Sequence, residues 1–296
     1  MEKAINVSML SMNWQQMTQS LTDRIALIGE MCSETFMTSL IDPHTLHIVV
    51  VPEYFFRKSP IQVVSTLAET YHGYRGPTVA EKMITQAHLN QFRGVKRKHT
   101  MYSPQERDLL VASLSALSAN NVLIVAGTMF WVEREPVIRP AGFCRAEQIT
   151  KGTARNTCYL FHNGAQIGAY HKIQNSHELD SPEDRLFTFM GGTTVTTCTV
   201  DGLRVGVEIC ADHNAGTMAN QNLDIHIIVS DGMAPFGPNV GTRANGVVLC
   251  CDSMNSHIAV YNRNATGQNI RTVAAPLARR IKKSVLIDTN TAPLLI

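Results

Sequence analysis

The chain has 296 residues, of which 44% are hydrophobic and 17% charged, with a formal net charge of +2. That balance belongs to a globular protein with a sizeable buried core, and it carries no electrostatic footprint for nucleic acid or anionic lipid as a partner. No stretch approaches the ~20 consecutive apolar residues that cross a bilayer, so no membrane partner is expected. Asn13, Gln15, Gln16 and Gln19 interrupt any secretory pattern at the N-terminus. The seven cysteines are scattered, Cys250 and Cys251 are adjacent, and no CxxC pair occurs. This usage reads as a reduced, cytoplasmic chain without a disulfide framework or structural zinc.

Ala4 to Met9 reads as an opening strand, followed by a long helix with Met17, Leu21, Ile25, Ile28 and Met31 on one face. Leu46 to Val51 is a continuous apolar run of the kind buried on both faces. It stops at Pro52, which cannot donate to a ladder, and Glu53 follows. Residues 57–102 lack clear periodicity and read as a helix plus a long excursion; the basic run Arg93 to His99 within it is best taken as a solvated loop. Ser103-Pro-Gln-Glu106 has the form of a capping box with proline at the first helical position, starting a helix that runs to about Ala119. Val122 to Thr128 is the next buried strand.

Two hairpins follow. One turns at Asn163-Gly164 between Cys158–His162 and Ile167–His171, and the other at Asp201-Gly202 between Val195–Val200 and Leu203–Ile209. Both dipeptides reach the positive φ that tight hairpin turns require. Asp224 to Ser230 reads as a strand, residues 242–252 as a helix, and His257–Asn262 and Ser284–Asp288 as strands. Strands and helices alternate throughout, so the class is α/β or mixed α+β.

Glu53, Lys172 and Cys210 each lie just past the end of an expected strand, where α/β proteins collect their functional groups. A thiol is a nucleophile, a carboxylate can take its proton, and an ammonium can stabilise an oxyanion. Each has a plainer reading by itself: Cys210 as a small buried hydrophobe, Glu53 as a turn carboxylate, Lys172 as a solvated strand end. Two further alternatives use neighbouring residues. Cys210 and His213 could form a thiol-protease dyad, although such partners usually come from distant segments. His171, His177 and Glu178 could hold a metal, although no HExxH motif is present.

The local segments favour the joint reading. Val51-Pro-Glu53-Tyr-Phe-Phe56 resembles the segment around the catalytic glutamate of the nitrilase superfamily of carbon–nitrogen hydrolases. Gly168-Ala-Tyr-His-Lys172-Ile173 is similar to the segment around that family's lysine, and Gly206-Val-Glu-Ile-Cys210-Ala-Asp212 to its nucleophile segment. They occur in the family's order, and Asn262-Arg263 resembles a common downstream pair. The resemblance spans essentially the whole chain. It implies one carbon–nitrogen hydrolase domain over residues 1–296, folded as a four-layer α-β-β-α sandwich. It also implies a homodimer or higher homo-oligomer, and a small amide-type substrate attacked through a cysteine thioester with water as co-substrate. No metal or organic cofactor is implied.

The resemblance assigns catalysis to Glu53, Lys172 and Cys210, with a second glutamate after the lysine. Glu183 has the better spacing for that role and Glu178 is the alternative. Ala211 and Tyr54 are expected at the oxyanion or substrate site, with His213 and Asp231 as further candidates; Ser230 to Gly237 would form a pocket wall. Two departures stand out. Ala211 replaces the usual aromatic residue, and His213-Asn-Ala-Gly216 replaces a segment that often holds Pro-Glu. The 119 positions from Glu53 to Lys172 point to an insertion around 57–104. Nitrile hydrolysis and a non-catalytic binding scaffold on the same fold remain the alternatives to an amidase.

Overall fold

The computed structural model describes residues 3–12, 19–39, 44–58, 101–119, 121–139, 148–175, 186–254, 256–263, 269–275, 277–282, 285–290 and 294–295. Most of the expected insertion at 57–104, and His177, Glu178 and Glu183, lie outside these residues. In chain order the elements are β1 (Ala4–Ser11), α1 (Leu21–Ser39), β2 (Leu46–Val50), α2 (Pro104–Leu117), β3 (Val122–Val125), β4 (Met129–Arg134), β5 (Val137–Arg139), β6 (Gln148–Thr150), β7 (Gly152–His162), β8 (Ala165–His171) and β9 (Phe187–Phe189). Then come β10 (Thr196–Val200), β11 (Leu203–Ile209), α3 (Ala211–Asn214), β12 (Leu223–Ser230), β13 (Thr242–Asp252), β14 (His257–Arg263), β15 (Asn269–Ala275), β16 (Leu277–Lys282), β17 (Val285–Asn290) and β18 (Leu294–Leu295).

The larger sheet runs β16-β17-β1-β2-β3-β7-β4, with β8 and β9 also on β7 and β18 on β1. Its centre, β1-β2-β3, is parallel, and β7 returns antiparallel on β3. The second sheet runs β10-β11-β12-β13-β14-β15, with a parallel centre at β11-β12-β13. Alternate residues of the two sheets meet in one core: Val7, Ile48, Val125, Leu160 and Tyr170 from the first, and Val207, Ile227, Leu249 and Ile258 from the second. The other face of the first sheet, through Val49, Ile124 and Phe161, packs on Leu27, Ile28 and Met31 of α1 and Leu110 and Leu114 of α2. The class is therefore the expected mixed α/β, with two stacked sheets and helices outside the larger one. Over the outer face of the second sheet, among the described residues, Val240 and Met233 pack on Ile228, Val248 and Cys250.

Local sequence explains most of these elements. The Ser103 hydroxyl accepts from the Glu106 N–H, and the Glu106 carboxylate accepts from the Ser103 N–H at 2.7 Å, which closes the capping box of α2. Asn163 and Gly164 turn at φ 50° and 81°, and Asp201 and Gly202 at 50° and 83°, as two-residue hairpins demand. The expected helix at 242–252 is instead the strand β13. Val247 to Cys251 are all buried, with Val247, Leu249 and Cys251 in the core between the sheets and Val248 and Cys250 on the outer face. A surface helix buries one stripe, whereas five consecutive buried residues need cover on two faces, as a strand inside a sheet packed on both sides receives.

Arg24 of α1 is fully buried and serves the loop after β2. Its guanidinium donates to the carbonyls of Phe55 and Arg57, the latter at 2.8 Å, and its Nε donates to Gln19 O at 3.1 Å. These bonds fix the turn that leaves Glu53. Arg24→Ala removes all of them at once and should lower stability by about 3 kcal/mol, read as a lower urea midpoint without a change in slope.

Candidate active site

Three strand ends from two sheets converge. Val51 N–H still bonds Val125 O beyond the end of β2, Pro52 ends the ladder, and Glu53 turns inward. Lys172 directly follows β8, its N–H donating to Asn156 O at 2.9 Å. Cys210 directly follows β11, its N–H donating to Val229 O at 3.0 Å. Glu53 and Lys172 are each only 1% exposed. Lys172 Nζ donates to Glu53 Oε1 at 2.6 Å, and Asn156 Nδ2 donates to the same oxygen at 3.2 Å. The Cys210 sulfur lies within hydrogen-bonding reach of the Glu53 carboxylate and of the Asp231 backbone N–H.

The electrostatics define the resting state of the sulfur. Burial, and then the neighbouring Glu53 carboxylate, push the Cys210 thiol up to about 12, with Lys172 and the Asp231 N–H opposing. An ordinary cysteine titrates near ~8.5. Cys210 therefore rests as a thiol, and forming its thiolate would require a base. Glu53 is the carboxylate beside it.

Cys210 has φ 41° and ψ −104°, a conformation that L-residues rarely adopt. Such strain costs roughly 1–3 kcal/mol and persists only where the surroundings enforce it. Asp212 is one restraint. Its Oδ2 accepts from the Tyr170 hydroxyl at 2.7 Å and the Ile173 N–H at 3.0 Å, and its Oδ1 from the Gln174 N–H at 2.7 Å. One carboxylate thus ties the loop after the cysteine to the loop after the lysine. Burial raises Asp212 above its ordinary value, with these hydrogen bonds opposing.

The remaining candidates separate. Tyr54 sits at φ 59°, donates its N–H to Thr128 Oγ1 at 2.8 Å, and places its ring 5.8 Å from Lys172 Nζ, so it walls the lysine. Ala211 is half-buried and opens α3, where helix geometry leaves its N–H without an intrahelical partner. Asp231 reaches the sulfur through its backbone. His213, expected at the substrate site, is placed elsewhere. It is fully buried, its Nδ1 is 2.5 Å from Glu208 Oε1, and its Nε2 accepts from the Phe236 N–H at 2.8 Å. With both ring nitrogens engaged within the fold, it cannot serve as a base for Cys210, which also removes the dyad alternative.

His171 turns to the opposite face of the sheet from Lys172. The Trp131 indole donates to Thr157 Oγ1 at 3.0 Å, and the same hydroxyl is hydrogen-bonded to His171 Nδ1 at 2.8 Å. It lines a cavity of about 290 Å³ with Arg155 and Met190 on that face. The sequence reading missed Asn156, Glu208, His226 and Asp252. Each is an ordinary polar residue within or at the end of an apolar strand, and only its partners mark it out.

Glu208, His213 and His226 form a buried cluster whose candidate ligand atoms lie within 4.8 Å of one another. The hydrogen bonds do not suit a cation. A metal-bound imidazole donates its other ring N–H outward. Here the outward nitrogens accept instead: His213 Nε2 from Phe236 N–H, and His226 Nδ1 from Gly241 N–H at 3.2 Å. The inward nitrogens therefore carry the protons and face Glu208 Oε1. That of His226 is 2.8 Å away, off the line of an ideal bond. The Met218 N–H donates to Oε2 at 3.2 Å.

No protein-family model and no curated protein matches the chain. Solved structures that resemble it include an amidase from Nesterenkonia sp. AN1 in complex with acrylamide, with 9% identity, 97% of this chain and 90% of that chain covered, and a TM-score of 0.47. A variant of that amidase, described as from the nitrilase superfamily, gives 10% identity, the same coverage of both chains and a TM-score of 0.45. A third form, carrying the acetamide moiety of fluoroacetamide on its active-site cysteine, gives 9%, 97% and 89% coverage, and 0.45. The likeness is one of overall chain path, and what is said of Glu53, Lys172 and Cys210 stands on the contacts described above.

The Glu208 network makes a prediction about acid. Burial alone would raise Glu208, but the two imidazoles and their hydrogen bonds outweigh it and hold the carboxyl at about 2, against an ordinary 4.5. A depressed folded-state value contributes stability that is present above pH 4.5 and lost as pH falls toward 2. Glu208→Gln should remove roughly 3 kcal/mol of stability at neutral pH and flatten the acid limb across that window. Urea unfolding of both forms at several pH values reads the difference.

Proposed function

We propose that the protein is a hydrolase that cleaves a non-peptide C–N bond, in an amide or N-carbamoyl substrate, through a thioester on Cys210. The observation that carries this reading is the convergence of sulfur, carboxylate and ammonium at one buried point, with the sulfur on a strained turn. A binding scaffold would have no use for that strain or for a buried ion pair beside a thiol. The free Cys32, Cys158, Cys198, Cys210, Cys250 and Cys251 suit a reducing cytoplasm.

In this scheme Glu53 takes the thiol proton as the Cys210 sulfur attacks the carbonyl carbon. The oxyanion is held by the Lys172 ammonium and the Ala211 N–H at the start of α3; losing one such donor typically costs ~3–4 kcal/mol of barrier. Collapse of the tetrahedral adduct breaks the C–N bond, and Glu53 passes its proton to the leaving nitrogen. Water then gives a proton to Glu53 and attacks the thioester, releasing the acid, and the proton returns to the sulfur. Asn156, donating to the oxygen that Lys172 also holds, fixes the rotamer of the base. Glu178 and Glu183 lie in the chain between Lys172 and β9, outside the described residues, and Glu183 is our preferred second glutamate. A homodimer remains our expectation from the family resemblance.

Two variants test the scheme on a panel of small primary amides, with ammonia release as the readout. Cys210→Ala should abolish turnover with its circular dichroism and melting temperature kept. Retained turnover in that variant would sink the reading. Glu53→Gln should slow both half-reactions by about 10²–10⁴-fold. Any residual acylation would then show by mass spectrometry as an acyl adduct on Cys210.

A further inference from the structure

The sulfur of Cys210 has a third polar neighbour besides Glu53 and Lys172, the backbone N–H of Asp231 on the turn after β12. One carboxylate accepts most of the hydrogen bonds that hold that turn. Asp252, the last residue of β13, pairs with Ser230 across the sheet and is nearly buried. Its Oδ2 accepts from the Ser230 hydroxyl at 2.7 Å, the Gly232 N–H at 2.6 Å and the Met233 N–H at 3.1 Å. Its Oδ1 accepts from the Met254 N–H at 2.9 Å. The residues on both sides of Asp231 are thus bound to one oxygen. Gly232, at φ 93°, permits the tight turn that this requires. The parallel register of β11 on β12, with Ile209 opposite Val229, sets this turn beside Cys210. The same strand end accepts the N–H of Cys210 itself at Val229 O.

We propose that Asp252 is a positioning residue: it fixes the turn after β12 so that the Asp231 N–H stabilises the Cys210 thiolate as it forms. The thiolate belongs to the hydrolase reading above, on which the proposal rests. An N–H fixed beside sulfur acts most strongly when the sulfur becomes an anion, since hydrogen bonds to charged groups are the stronger kind. Glu53 opposes that anion by its charge, and Lys172 is shared with Glu53. The Asp231 N–H is neutral, and its effect on the anion comes at no cost of a competing ion pair.

The test reads the thiol directly and needs no substrate. The second-order rate of carbamidomethylation of Cys210 by iodoacetamide is measured in the full chain between pH 7 and 9, by mass spectrometry of the labelled peptide. Below the thiol pKa the rate follows the thiolate fraction, so one unit of upward shift is a tenfold fall at each pH. Ser230→Ala removes one bond of the clamp and leaves the Asp252 charge in place; it should slow labelling of Cys210 by about threefold. Asp252→Asn should slow it on the order of tenfold. Labelling of Cys198, half-buried on β10, should not change in either variant. General loosening of the fold would instead speed labelling at both cysteines. Unchanged or faster labelling of Cys210 in Ser230→Ala overturns the proposal. If Cys210→Ala refutes the hydrolase reading while labelling is still slowed, the clamp on the sulfur stands and only its catalytic meaning falls.

Discussion

A carboxylate and an ammonium 2.6 Å apart, each 1% exposed, form the contact on which the arrangement of the site depends. Ion pairs withdrawn from water contribute little to stability, because desolvation offsets most of the attraction. Removing either partner leaves a buried charge alone, which is far costlier. The pair therefore constrains the fold more than it stabilises it. Glu53 just past β2 and Lys172 just past β8 meet through the order β2, β3, β7 and β8 in one sheet. Asn156, on β7 between them, then reaches the oxygen that Lys172 holds.

The second sheet brings the sulfur to this pair. Its parallel strands β11 and β12 end at Cys210 and Asp231, and the core between the sheets sets their distance from the first sheet. Three carboxylates keep that region in place without facing the sulfur themselves. Asp212 binds the lysine loop, Glu208 lies against two imidazoles beneath the Cys210 turn, and Asp252 binds the turn after β12. Each accepts several N–H or O–H donors, so the positive φ of Cys210 is imposed from several directions. The result is a thiol kept protonated by its surroundings next to a buried carboxylate.

Local features were legible wherever the cause was local. The capping box at Ser103 and Glu106 and the Asn-Gly and Asp-Gly turns depend on residues within a few positions of each other. The strands at β2, β3 and β12 are short apolar runs with clear stops. The helix expected at 242–252 failed because burial on both faces comes from the layers above and below β13, the inter-sheet core and the Val240 and Met233 cover, and not from the segment. His213 was misplaced for a related reason. Its proximity to Cys210 in the chain suggested shared chemistry, yet α3 turns it toward Glu208 and away from the sulfur.

The sequence by itself determined the chemistry available and its order along the chain: a glutamate, a lysine and a cysteine, each just beyond a strand, in segments resembling those of carbon–nitrogen hydrolases. Tertiary structure alone decided which groups touch. Lys172 and Asn156 share one oxygen of Glu53, and Asp231 acts through its backbone. Asp212, Glu208 and Asp252 hold loops rather than substrate. The reason is physical. Side-chain type is written residue by residue, whereas hydrogen-bond partners and desolvation depend on segments a hundred residues apart meeting in a packed interior.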